Sequence, residues 1–431
     1  MPGKIALVWF KTDLRLHDNE TLYKAVKNHE KIIPVYCFDP RHFEENAFGF
    51  KKTGNFRANF IIESLRNLEK SLKEIGGHLF YLLGNPEEVI PQVAFRYGIR
   101  DVYAKKEVSY DEKHIQQKLE KQLWKRGIAL KEYSTSTLFK ADDLPFTIKD
   151  IPDHYADFKK AVETESNVRP PYEVPNEISI QKIDSYSMEE VMQRLDIKPV
   201  HPDNRTSFPF HGGEDEALKR LNEFIWEKKL INEFEKNKYN FIGPDNSTKF
   251  SGWLAQGCLS PKYIYKEVTD YQKQHGKSSS SNLLLEELIM RDYYRFIMKK
   301  YKDKIHEIIG VSPQFFLTAE QHNRLKDWIN GNTGMDLVDA GMKELKKTGF
   351  LSYQLRLNVA SYFATELNLD WRLGASYFEE VLIDYDVCNN WGNWSNIAGY
   401  GLDTKEFKPV NPQKQAKLLD PEGEYRRLWL S

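Results

Sequence analysis

The sequence predicts two domains of different class, an N-terminal α/β domain and a C-terminal all-α domain, and three observations predict it. Apolar runs of strand length alternate with amphipathic helical stretches up to Tyr133, the pattern of βαβ units on a parallel, Rossmann-like sheet. From Ser134 to Pro209 the periodicity fades and prolines accumulate, from Pro145 through Pro170 and Pro171 to Pro209. Beyond Glu214 strand-like runs disappear and helical periodicity takes over. The expected division is an α/β domain at 1–134, a long connector at 135–213 and a helical domain at 214–431.

The elements follow in order. Ile5-Ala6-Leu7-Val8-Trp9-Phe10 is a continuous apolar run, read as the first strand. A turn and a helix through Leu22, Ala25 and Val26 lead to a second strand, Lys31 to Phe38. Phe56, Phe60, Ile61, Leu65, Leu68 and Leu72 recur at spacings of three and four, which predicts a helix from Asn55 to Ile75. Strand His78 to Leu83, helix Pro86 to Tyr97, strand Asp101 to Ala104, helix Asp111 to Arg126 and strand Ala129 to Tyr133 complete the alternation. Helices are then expected over 214–238, 261–274, 282–301, 319–330, 335–347, 352–367 and 371–382.

Composition narrows the function. With 40% hydrophobic and 29% charged residues the chain reads as globular rather than disordered. A net charge of −1 announces no global basic field, so a nucleic-acid partner needs a local patch. Cys37, Cys258 and Cys388 are too few and too scattered for a disulfide framework or a zinc cluster. The first strand begins at Ile5, which leaves no room for a leader, and no apolar run approaches the ~18 residues that span a bilayer. The reading is a cytoplasmic protein, a monomer without a membrane partner.

A dinucleotide is the obvious ligand of such a sheet, but the first turn, Lys11-Thr12-Asp13-Leu14-Arg15, has no glycine to admit a pyrophosphate. Gly276-Lys277-Ser278 lacks the upstream glycine of a P-loop. The chemistry sits elsewhere. Asp384-Tyr385-Asp386-Val387-Cys388-Asn389-Asn390-Trp391-Gly392-Asn393-Trp394 packs acids, amides and indoles into one run that does not suit a helix surface or a strand. It is expected to leave its helix after Leu382 and line a polar aromatic cofactor, or to be a buried loop whose side chains satisfy turn backbone. Ser247, Thr248, Lys249, Phe250 and Ser251 cluster hydroxyls and amides before a helix, which suits a phosphate or a capped helix start. Glu287 and Arg291 form an i, i+4 pair on a helix where Tyr293, Tyr294 and Phe296 interleave with Arg295, Lys299 and Lys300, an edge that suits nucleic acid or a plain amphipathic face.

Taken in order, these segments resemble the photolyase/cryptochrome family. The version with Tyr385, Val387, Cys388 and Gly392-Asn393-Trp394 resembles its cryptochrome DASH branch, and the likeness runs from Leu7 to Trp429. The resemblance implies a helical FAD-binding domain in which Ser247 to Ser251 hold the diphosphate. Phe234 stands where the family has a tyrosine on the phosphate, so that contact is lost or replaced. It further implies that Arg356 pairs with Asp384 near the flavin, that Tyr385 and Asp386 line the cofactor, and that Asn390 sits at flavin N5. Glu287 and Arg291 would lie under the adenine and any flipped base. Trp394 and Trp371 match two members of the family's electron-carrying tryptophan chain; the third falls near Thr318, where Phe315 and Phe316 are the nearest aromatics, so the route to the surface reads as broken or rerouted. Glu107 matches a glutamate that holds a folate antenna (methenyltetrahydrofolate).

The expected substrate pocket departs from the repair pattern. Positions of its aromatic wedges read Leu284, Met290 and Asn396, and neighbouring ones read Tyr353, Gln354 and Leu357. Stacking is worth about 1–3 kcal/mol per base, so lost platforms weaken lesion binding unless Tyr353 substitutes. The resemblance implies a blue-light photolyase acting on cyclobutane pyrimidine dimers in single-stranded DNA. A photoreceptor flavoprotein with little or no repair is the alternative, and a dark flavin redox enzyme, lacking a nicotinamide fingerprint, the third.

Overall fold

The computed structural model describes residues 4–301, 317–401 and 409–431. Five parallel strands, β1 (Ile5–Phe10), β2 (Lys31–Phe38), β3 (Phe80–Leu83), β4 (Asp101–Lys105) and β5 (Ala129–Tyr133), stand in the order β3-β2-β1-β4-β5. Central β1 pairs Leu7 with Ile33 of β2 and with Val102 of β4. Its side chains from Ala6 to Phe10 are buried on both faces, which is why it reads as an unbroken apolar run. Helices α1 (Glu20–Asn28), α2 (Asn55–Glu74), α3 (Pro86–Arg96) and α4 (Tyr110–Trp124) cross between the strands.

The long proline-rich stretch carries two helices, α5 (Tyr155–Glu165) and α6 (Met188–Arg194), and buries Phe158, Val162, Ile178 and Val191. Its backbone also pairs with the sheet, at Ile180 against Ile32 and Tyr186 against Tyr81.

Beyond it come α7 (Glu214–Asn222), α8 (Phe234–Asn237), α9 (Ser251–Gln256), α10 (Pro261–His275), α11 (Ser279–Lys300), α12 (Ala319–Asn330), α13 (Asp336–Thr348), α14 (Tyr353–Thr365), α15 (Trp371–Val381), α16 (Val387–Ile397), α17 (Pro412–Leu419) and α18 (Glu424–Leu430). The single helix expected over 214–238 is broken: a π turn spans Glu223–Glu227 and Lys229 takes the left-handed conformation at φ 51°.

A second correction concerns the run that begins at Asp384. It leaves α15 as expected, but from Val387 it is helical again, because Asp386 caps α16 by accepting from the Asn389 amide. Its amides are held by tertiary partners. Asn390 Nδ2 donates to Ala375 O at 3.0 Å, and Gly392 leaves room for Tyr294, whose ring carbon would lie 2.5 Å from a Cβ there.

In an open α/β sheet the strand order reverses at a crevice that usually takes the ligand, here between β1 and β4. This crevice is filled by the helical domain. Gly257, at φ 70°, sits so close that a Cβ would lie 2.2 Å from Thr12 O, and Leu14 N donates to Gln256 O. Arg15, 1% exposed, donates to carbonyls of Gly257 and Thr135. Glu214 of α7 accepts from the amides of Leu16 and His17. The switch point is therefore the joint between the domains.

Candidate functional site

The turn between α15 and α16 brings two carboxylates to two cations from different helices. Arg356 of α14 donates through Nη2 to both oxygens of Asp384, at 3.0 and 2.7 Å. Arg295 of α11 donates to Asp386 Oδ2 at 2.5 Å, while Asp386 Oδ1 accepts from the amide and side chain of Asn389. Burial alone would raise the Asp386 carboxyl, but Arg295, Arg291 and the Asn389 amide hold it below the ordinary carboxylate range. Beneath the turn Arg57 donates to Leu382 O and lies 4.8 Å over the Tyr385 ring.

Glu287 and Tyr353 define an opening. Both are solvent-accessible yet closely surrounded, Tyr353 being 53% exposed. Desolvation pushes the Glu287 carboxyl up to about 7, and burial together with Glu287 pushes the Tyr353 phenol up to about 12. Met290, one turn from Glu287, and Gln354 and Leu357, beside and one turn from Tyr353, are half-buried.

Two expected lining residues are elsewhere. Leu284 is 2% exposed in the core, and Asn396, 9% exposed, donates to the Tyr294 hydroxyl at 3.2 Å. The expected ion pair of Glu287 with Arg291 does not form among the described residues, since Arg291 donates to the carbonyls of Ser136 and Leu254. Nor is this helix a nucleic-acid edge. Tyr293, Tyr294, Phe296 and Arg295 are buried, and Lys300 is tied to Asp153 at 2.6 Å, because α11 runs through the interior with neighbours on most sides.

The Ser247 to Ser251 segment is shaped by Arg220, which donates to the carbonyls of Pro244, Ser247 and Thr248 at 3.0, 3.0 and 3.1 Å. Ser247 and Thr248 are half-buried and Ser251 opens α9 in the exposed class. Lys249, left-handed at φ 62°, turns inward to 5.2 Å from the Phe350 ring, and burial lowers its ammonium to about 8. Phe250 and Phe234, expected at the cofactor, instead pack on Phe224 at 5.7 and 5.9 Å in the core. Asn246 Oδ1, Ser352 Oγ and Asn358 Oδ1 are buried without a protein partner, as befits residues that await a polar ligand. These polar groups, with Arg356 as donor and Asp384 as acceptor, fit FAD.

Trp394 is 2% exposed among Phe378, Phe363 and Trp328 at 5.1, 5.7 and 6.2 Å. Its ring lies on Gly374, one turn along α15 from Trp371. Trp371 meets Trp391 edge-on at 5.8 Å and stacks on Tyr400 at 6.4 Å. Thr318 is only the N-cap of α12, and Phe315 and Phe316 lie outside the described residues. Glu107 is 4% exposed between Lys11 and Lys105 at 3.2 and 3.3 Å; burial opposes its charge, but the two lysines hold its carboxyl down at about 2.

Sequence reasoning missed Arg57, Trp391 and Tyr400, and read Arg295 as part of a nucleic-acid edge rather than as the partner of Asp386. Trp391 stood inside the quoted run, and the others carried no local signal, since their partners are far away in the chain.

Fold and site together define a two-domain FAD-binding protein with an α/β domain docked on a helical one. Residues 6–176 match the DNA photolyase family, and residues 284–431 match the FAD binding domain of DNA photolyase. Cryptochrome DASH of a Synechocystis species is 41% identical over 98% of this chain and 87% of its own length. The crystal structure of Synechocystis cryptochrome superposes with a TM-score of 0.93 at 40% identity, covering 100% of this chain and 89% of that one. A bacterial class III photolyase from Agrobacterium tumefaciens gives 0.85 at 25% identity, covering 100% and 87%. The chain belongs to the photolyase/cryptochrome family, in its cryptochrome DASH branch. No helix among the described residues is long and apolar enough to cross a membrane.

Proposed function

We propose that this protein is a light-driven DNA photolyase that splits cyclobutane pyrimidine dimers in single-stranded DNA. The observation that carries the reading is the opening beside the FAD-binding turn, where Glu287 and Tyr353 face one another's field. With its carboxyl up at about 7, Glu287 keeps its proton in a sizeable share of molecules near neutral pH, and in that form donates a hydrogen bond to a base carbonyl. The exposed Tyr353 ring supplies the stacking face that Met290 and the buried Asn396 do not.

When bound, reduced FAD supplies the electron that opens the cyclobutane ring and recovers it afterwards, so the reaction is redox-neutral. The chain's part is to hold and exclude. Arg356 and Asp384 fix a cation and its counter-charge at the cofactor turn; the Ser247, Thr248 and Ser251 hydroxyls would hold the diphosphate, and Asn390, whose Nδ2 is engaged by Ala375 O, would offer its Oδ1 to the flavin. Trp394 and Trp371 form the electron route on the side of α15. We further read the protein as a cytoplasmic monomer. Glu107, paired with Lys11 through one oxygen and Lys105 through the other, is the residue we read as holding a folate antenna.

A photoreceptor without repair is favoured by one observation: of the expected wedge positions, Leu284 and Asn396 are buried and Met290 carries no ring. Illumination of reduced protein with a single-stranded oligonucleotide carrying one thymine dimer decides between the two. Loss of the dimer in light and not in the dark supports the photolyase; persistence of the dimer alongside flavin photoreduction supports the photoreceptor.

A further inference from the structure

We propose that Tyr400 is the surface terminus of the electron route, passing electrons from solvent to Trp371 in place of a third tryptophan. The proposal rests on the light chemistry of FAD put forward above.

The geometry is specific. Trp371 is 6% exposed, and its ring has two aromatic neighbours on opposite sides of the problem. Inward, Trp391 lies at 5.8 Å with its plane at 73°, and Trp391 Nε1 donates to the Tyr385 hydroxyl at 3.2 Å inside the cofactor turn. Outward, Tyr400 stacks at 6.4 Å with its plane at 30° and is 65% exposed. The other aromatic continuation from Trp394, away from Trp371, runs into Trp328, which is 0% exposed and donates to Val359 O at 3.1 Å. That branch continues at 5.7 Å to Tyr377, a ring only 6% exposed whose phenol burial raises. Among the described residues, Tyr400 is the exposed tyrosine or tryptophan ring that touches this cluster.

Exposure matters because oxidising a phenol releases its proton. A buried phenol has no acceptor for that proton, whereas Tyr400 faces water. The step balances as follows. Trp371 loses one electron towards light-excited oxidised flavin; Tyr400 gives one electron to Trp371 and its hydroxyl proton to water, leaving a neutral tyrosyl radical. A thiol in solution then returns a hydrogen atom to Tyr400. Each turn moves one electron from thiol to flavin and leaves both aromatic residues as they began.

The test uses full-length, FAD-loaded protein with the flavin oxidised and a thiol present. Wild type, Tyr400→Phe, Tyr400→Trp and Trp371→Phe are compared by flash spectroscopy, by electron paramagnetic resonance with ring-deuterated tyrosine, and by the rate of flavin photoreduction. Wild type should show a tyrosyl radical whose spectrum changes on deuteration. Tyr400→Phe should leave a tryptophan radical that recombines, with photoreduction slowed several-fold. Tyr400→Trp should restore the rate with a tryptophan radical in place of the tyrosyl one, an exchange of signature that a merely structural role would not produce. If Tyr400→Phe matches wild type in radical identity and rate while Trp371→Phe abolishes both, the terminus is elsewhere and the light chemistry stands. If wild type itself shows no photoreduction, the underlying reading falls, and the proposal with it.

Discussion

The six-membered ring of Trp394 lies against the backbone at Gly374: a Cβ there would meet the ring's Cη2 at 2.3 Å. Glycine at this place is the absence of a side chain put to use. It lets α16 approach α15 closely enough for Trp394 and Trp371 to occupy neighbouring turns of one surface. Gly374→Ala should therefore push Trp394 out of place and destabilise the fold by about 1–3 kcal/mol, the usual cost of overpacking. Urea unfolding gives the energy, and the flavin photoreduction rate shows whether the ring has moved. Unchanged values in both would mean that the helices part without cost.

Removing one member of the Arg356 and Asp384 pair leaves the other charge uncompensated beside the cofactor turn. Asp384→Ala should purify with little or no FAD, and lose about 3–5 kcal/mol as a one-sided deletion of a buried pair does. Arg356→Leu combined with Asp384→Asn should recover much of the stability and still bind FAD poorly. Flavin absorbance of the purified protein and chemical denaturation check the two halves separately.

Glu287 carries a pH prediction whose sign is fixed. Its carboxyl, raised from 4.5 to about 7 by desolvation, keeps its proton in the folded protein and loses it as the pH climbs through 7. The stability tied to that proton is fully present below about pH 4.5, declines as the pH rises from there, and is gone once the pH has passed the folded value of about 7. Repair should fall in step, because the ionised carboxylate cannot donate to a base carbonyl. Glu287→Gln, which donates at any pH, should flatten the profile between pH 6 and 8.5, measured as dimers split per flash. A wild-type profile already flat across that range would remove Glu287 from this role.

Tyr353→Ala should weaken binding to a dimer-containing single strand by about 5- to 150-fold, the equivalent of one stacked base. Met290→Trp should strengthen it by offering a second face. Fluorescence anisotropy of a labelled oligonucleotide in the dark measures both, and equal affinity for all three proteins would place the DNA elsewhere.

Gly257→Ala combines a left-handed backbone with a Cβ 2.2 Å from Thr12 O. The left-handed penalty alone is about 1–2 kcal/mol, and the clash adds to it. The expected result is a loosened joint, seen as earlier proteolytic cleavage between the domains while each keeps its far-ultraviolet dichroism.

Much of the fold is legible in the sequence, and the reasons differ by element. Lys31–Phe38 is readable to the residue because its apolar run is buried almost throughout, whereas Ala129–Tyr133 is an edge strand, half-buried along most of its length, and is read from its place in the alternation. The Arg356 and Asp384 pair was expected from a resemblance in register, and the coordinates place the two side chains in contact. Helix α16 is not legible, since Asn389, Asn390, Gly392 and Asn393 are each poor in a helix and are held by Ala375, Tyr294 and the Asp386 cap. The stripe of cations and rings on α11 misleads for a related reason. Local sequence states that Arg295 is charged, but only the fold shows that its counter-charge, Asp386, comes from ninety-one positions further on.

The Gln256–Gly257 plug has a consequence for modularity. In many doubly wound proteins the crevice at the strand reversal is a vacant socket, and such a domain can be borrowed whole. Here the socket is taken up by the second domain's own backbone, and Arg15 is bonded across the seam to Gly257. Recombining the N-terminal half with an unrelated partner would deprive Arg15 Nη1 of its Gly257 acceptor, while its bonds to His17, Asp18 and Thr135 stay within the half. The two halves are expected to be inherited, exchanged and engineered as one unit, so a chimera within this family should cross over inside an element, where both sides of the seam travel together.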